Sequence, residues 1–150
     1  MGQFKEIIYN DILITAIIGW AVAQILKFVL TLITQKTLDF SRFVGSGGMP
    51  SSHSSFVTAL SVKTGTECGF NSPLFAISAV FALIVMYDAA GVRREAGNQA
   101  KILNHIIDDL SKNKGVKPQR LKELIGHKPI EVLAGAILGI IIGIIIGIVV

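Results

Sequence analysis

Three stretches of this chain are apolar for as long as a membrane is thick. Ile12 to Thr34, Leu74 to Val92 and Pro129 to Val150 each reach the length of about 20 residues that crosses a hydrocarbon core. At that depth no water is present to satisfy backbone N–H and C=O groups, so such runs must be helices. The expected fold class is all-α: an integral membrane helical bundle with about four transmembrane helices plus an amphipathic surface helix.

The fourth crossing is the least obvious. Ser52 to Phe70 is apolar at Phe56, Val57, Ala59, Leu60 and Val62. It is diluted by Ser54, Ser55, Thr58, Ser61 and Lys63. Polar groups are tolerated at membrane depth when protein covers them, so this segment is expected to be shielded by the other three. Residues 93–128 form a surface section. Ala96, Ala100, Leu103, Ile106, Ile107 and Leu110 mark one stripe of an amphipathic helix over 95–111. "SKNKGVKPQR" reads as a basic loop and "RLKELIG" as a short helical turn. The chain is thus one membrane domain, 1–150, with helices at about 12–34, 52–70, 74–92 and 129–150.

In the last helix Gly135, Gly139, Gly143 and Gly147 recur at every fourth position. They leave a smooth strip on one face, which lets another helix approach closely. The strip is also a surface through which a homo-oligomer could form. Asn10 and Asp11 are candidate caps for the first helix, and Pro129 suits the first turn of the last one. The first twenty residues make a poor cleavable signal, since acidic residues interrupt them and the apolar run continues too far. "MGQFKE" lacks the hydroxyl that a lipidation signal wants at position 6.

Only 16% of residues are charged, against 51% hydrophobic. No basic patch is interleaved with aromatics, so nucleic acid is not an expected partner. A single cysteine, Cys68, excludes an internal disulfide and a multi-cysteine metal site. With four crossings, eleven of the 14 Lys and Arg residues fall on one side, two on the other, and Lys27 within the bilayer. Basic residues collect in cytoplasmic loops. The expectation is a multi-pass cell-membrane protein whose polar face opens to the cytoplasm.

That face carries the chemistry-bearing residues. In "GGMPSSHSS", Pro50 ends a loop and Ser51 or Ser52 can cap the next helix. First-turn N–H groups, with Gly48, would then form an anion cradle. His53 at its lip can protonate a leaving oxygen, or is a bystander beside an ordinary serine cap. In "GHKPIEV", Glu131 lies four residues after His127. It can orient the imidazole or merely complement the helix dipole. Arg93 and Arg94 suit bidentate phosphate binding or mark a membrane interface. Lys27 and Asp88, both inside spans, either pair with each other or serve the pocket, Lys27 by touching phosphate. His105 and Asp109 share a spacing with His127 and Glu131, but lie on the solvated face of the surface helix.

"GGMPSSHS", "DAAGVRR" and "GHKPIEV", in that order, resemble three motifs of the small divergent bacterial branch of the type 2 phosphatidic acid phosphatase and vanadium haloperoxidase superfamily. The resemblance covers nearly the whole chain. It implies His127 as a nucleophile forming a phosphohistidine, Glu131 in the place of the superfamily's aspartate, and His53 as general acid. Ser51, Ser52, Gly48, Arg93, Arg94 and Lys27 would bind the substrate's phosphate, with Asp88 in support, and no metal or other cofactor is implied. The superfamily's first motif, lysine followed six residues later by Arg-Pro, is not completed here. What the resemblance implies is a phosphoric monoester hydrolase acting on a lipid or isoprenoid phosphate. A non-catalytic phospholipid-binding or transport protein that keeps only the pocket is the alternative.

Overall fold

The computed structural model describes residues 6–35, 48–111, 120–121 and 126–149. The loop before Gly48, most of the basic loop, and residues 122–125 of the short turn lie outside the described residues. Besides a helical stretch at residues 6–8, those described form five helices and no strand: α1 (Asp11–Gln35), α2 (Ser52–Cys68), α3 (Pro73–Ala90), α4 (Val92–Ser111) and α5 (Pro129–Val149). Asn10 caps α1, its side chain accepting from the Leu13 N–H at 2.9 Å. Ser72 caps α3, with Pro73 in the first turn. α3 stops at Gly91, whose N–H closes on Tyr87 O, and α4 starts at once. The amphipathic helix therefore begins three residues earlier than the apolar stripe alone indicated.

α1, α3 and α5 are long and apolar enough to cross a membrane; α2 is not. α2 instead stands in the middle, packed by those three. Its serines and threonines are short enough for close approach, and each neighbour is tied to it by one hydroxyl. Ser55 donates to Gly19 O of α1 at 2.8 Å, and Thr58 to Ala136 O of α5 at 3.2 Å. Ser78 of α3 reaches the Ser61 hydroxyl at 3.3 Å. Such interhelical bonds contribute about 0.6–2 kcal/mol each in a bilayer. Lys63, also buried, is neutralised by Glu67 one turn on, at 3.0 Å. Ile25, Val29, Ile77, Leu83, Ile141 and Ile145 all point outward, exposed. This is a membrane protein's distribution, with small and polar side chains inside and large aliphatic ones facing lipid.

The glycine strip faces α2. Gly135 lies against Ser51 and Ser54, Gly139 against Ser55 and Thr58, Gly143 against Ala59 and Val62, and Gly147 against Thr66. The strip is therefore occupied by α2 within one chain. The same pairings show that α5 runs parallel to α2. The contacts of Gly19 with Ser55 and Ala59, and of Gly48 with Lys27, make α1 antiparallel to α2. The N-termini of α2 and α5 consequently meet at one end of the bundle. The Ser51 N–H donates to Glu131 O there, at 2.9 Å.

α4 leaves that end. Asn104 grips the main chain of Leu121 from both sides, donating to its O and accepting from its N–H at 2.9 Å each. Arg120 pairs with Asp108 beside it. The segment returning toward α5 is thus held against α4.

Candidate functional site

The meeting of two helix N-termini concentrates positive dipole ends, the usual setting for an anion. His127 is fixed there by three contacts. Its N–H donates to Ala89 O at the end of α3, at 3.0 Å. Gly126 before it lies so tightly on the backbone of Arg93 and Arg94 that no Cβ would fit. On the side-chain side, Nδ1 meets Glu131 Oε2 at 3.1 Å. The same oxygen accepts the Lys128 N–H at 3.1 Å, so Glu131 both closes the first turn of α5 and orients the imidazole. With Nδ1–H donated to the carboxylate, Nε2 keeps its lone pair.

His127 is almost wholly buried, its side chain 3% exposed. Burial pushes its pKa below the ordinary range. The Glu131 hydrogen bond and charge oppose this, while the Lys27 and Arg93 charges add to it, and the net direction is down. The ring is thus neutral at pH 7. His53, exposed in the first turn of α2, faces it with ring centroids 6.4 Å apart. One phosphate can touch both rings across that gap.

The cations come from different elements. Arg93, in the first turn of α4, is held by Asp88 of α3 through Nε. Asp88 thus supports Arg93. Lys27 is 2% exposed, its charge close enough to act on both histidines. Its aliphatic stem lies under Gly48, which has a φ of 91° that favours glycine. Gly48 thus seats Lys27 at this site. Arg94 is exposed and lends backbone to the seat of Gly126.

Ser51 is the cap of α2. Its hydroxyl accepts from the Ser54 N–H at 3.3 Å and meets the Ser54 hydroxyl at 3.0 Å, wholly out of solvent. Ser52 is buried in the first turn, and the N–H groups of Ser52 and His53 precede the first intrahelical acceptors. His105 borders a separate polar cavity of about 260 Å³ with Lys101, Asp108 and Arg120. Sequence reasoning missed Ala89 and Gly126. Only the glycine directly before the histidine signalled the tight seat, and nothing in the sequence signals a main-chain acceptor.

The profile of the Divergent PAP2 family matches residues 8–142. YuiD of Bacillus subtilis, described as an uncharacterized membrane protein, is 41% identical over 143 residues. The match covers 88% of this chain and 90% of that one. No solved structure matches the chain.

Proposed function

The chain belongs to the Divergent PAP2 family, and from that premise we propose that it is a membrane phosphatase of a lipid or isoprenoid phosphate monoester, working through a phosphohistidine. The observation that carries this reading is the buried His127, held by Glu131 and facing His53 across 6.4 Å. Nε2 of His127 attacks phosphorus as the P–O ester bond breaks. Protonated His53 gives its proton to the departing alkoxide. Glu131 stabilises the imidazolium that forms. Arg93, Lys27 and the first-turn N–H groups of α2 balance the phosphoryl charge. Water, deprotonated by His53, then displaces His127 and releases phosphate.

The test is phosphate release by purified protein from a panel of lipid phosphates, with vanadate as inhibitor. His53→Ala should slow turnover by about 10²–10⁴-fold on alkyl phosphates, and far less on nitrophenyl phosphate, whose leaving group needs no proton. Equal slowing on both would remove His53 as the acid. The rival reading, a phospholipid-binding or transport protein, is favoured by one observation: Ser51 and Arg93 already have partners within the chain. Binding of a lipid phosphate with no release of phosphate from any substrate would make it the better account.

The cytoplasmic placement of this pocket rests on the charge bias of the loops. In a Cys68→Ser background, single cysteines at Asn71 and Lys101 report the two sides, both positions being exposed. An impermeant thiol reagent should label Asn71→Cys on intact cells and spare Lys101→Cys until the cells are opened. The opposite pattern would put the phosphatase site outside.

A further inference from the structure

The histidine turn borders a long apolar groove. A cavity of about 640 Å³ separates α3 from α5, lined by Leu83, Tyr87 and Ala90 on one wall and Pro129, Val132 and Leu133 on the other. Its upper end is the site itself. Ala90 follows Ala89, the acceptor of the His127 N–H, and Pro129 and Val132 bracket Glu131. From Ala90 the wall descends two helical turns to Leu83, about 10 Å toward the middle of the bilayer. Leu83 and Leu133 are 63% and 55% exposed, so the groove is open sideways to lipid.

A second apolar groove of about 360 Å³ flanks the other side of α5, where Val29 and Ile137 are among its lining residues. It approaches the site at Leu26, Met49 and Pro50, beside Lys27, Gly48 and the sealed Ser51 cap, and away from the histidine turn. The two grooves therefore differ in what they lead to. Only the α3–α5 groove ends at the histidine turn, with cationic Arg93 above and apolar walls below. That is the polarity of an amphiphile with an anionic head.

We propose that the α3–α5 groove is the seat of a hydrocarbon chain of the substrate, whose phosphate lies between His53 and His127. The proposal rests on the phosphatase reading for the identity of the head group, and adds where the tail goes. It makes Leu83, Tyr87 and Leu133 determinants of chain length. A tail that already lies in hydrocarbon gains fit and packing contacts there rather than removal from water.

Two experiments test it. Leu83→Trp and Leu133→Trp narrow the groove from exposed positions that the fold tolerates. Each should lower the ratio of long-chain to short-chain phosphate kcat/KM by about tenfold, because a long chain clashes with the indole and a short one does not reach it. Val29→Trp and Ile137→Trp, in the other groove, should leave that ratio unchanged. In the second experiment, phosphatidate with a diazirine in its acyl chain is photo-crosslinked to wild-type protein in nanodiscs. Adducts should map to α3 and α5 around Leu83 and Leu133, and should exceed those of a diacylglycerol bearing the same probe. Crosslinking there without phosphate release from any substrate would keep the groove and discard the phosphatase. Phosphate release with adducts or ratio changes only in the α1–α5 groove would discard the groove and keep the phosphatase. Equal labelling by the neutral lipid would mark an ordinary lipid-facing cleft and overturn the proposal, as would no labelling at all.

Discussion

His127→Ala is expected to lower turnover by about 10⁴-fold or more, the scale seen when a nucleophile is removed from an enzyme that works through a covalent intermediate. Phosphoenzyme should vanish with it. Wild-type protein quenched during turnover of a radiolabelled lipid phosphate should hold label that is stable in alkali and lost in acid, as a P–N bond is. Among the described residues, His53 is the one other histidine near the site, and its exposed ring lacks the carboxylate support that His127 has. Retention of label in His127→Ala would therefore reassign the nucleophile, and unchanged turnover would end the phosphohistidine mechanism. The pH profile adds a second readout. The nucleophile must be neutral, and burial holds its pKa below the ordinary value near 6.5. The nucleophile is then fully in its reactive form above that value and is lost as pH falls through the lowered one, so the acid limb of kcat/KM lies below 6.5, while loss of the proton that His53 must donate sets an alkaline limb. Glu131→Gln removes the charge that raises the pKa. It should cut kcat by up to about 10⁴-fold and move the acid limb to still lower pH, whereas a merely structural Glu131 would leave the limb in place.

Gly139→Ala should be among the most damaging single methyl groups that can be added to the helix packing. Its Cβ would overlap Ser55 O and the Thr58 hydroxyl. Main chain cannot swing away, so α5 must lift from α2 and stretch the Thr58 to Ala136 bond. Overpacking and the weakened bond together should cost about 2–4 kcal/mol, or about 5–15 °C in melting temperature. Gly135→Ala meets Ser51 O and should behave alike. Gly147→Ala should cost far less, because its Cβ would meet only the Thr66 side chain, at 3.0 Å. Melting of the four alanine variants in detergent should follow that gradient. A flat series, or one with Gly147 worst, would mean that α5 does not pack on α2 as described.

The glycine period, the three apolar runs and the His127–Glu131 spacing could all be read from the sequence, because each is a local pattern with one helical consequence. The direction of the glycine strip could not. A smooth face invites any helix, and only the fold decides between α2 and a second copy. The Asp88–Arg93 pair was hidden for a related reason. Both residues were visible, but Lys27 was an equally good partner for Asp88 until the break at Gly91 set Arg93, in the first turn of α4, beside it. The two-sided grip of Asn104 on Leu121 spans 17 positions through a main chain that carries no sequence signature. The two histidines, 74 positions apart in the chain, were joined in advance only by resemblance. Their meeting depends on α2 and α5 being parallel, which no single segment encodes.

α2 has a consequence for how this protein enters a membrane at all. Its hydroxyls, Lys63 and Glu67 leave it without the apolar surplus that seats a helix in lipid by itself. The Ser55 and Ser61 hydroxyls lose Gly19 O and the Ser78 hydroxyl when the helix is alone, while Thr58 keeps Ser54 O of its own helix. Partition into the bilayer and tertiary assembly are therefore one event for residues 52–68, rather than two successive stages. The seat of α2 is complete only when α1, α3 and α5 have all packed around it.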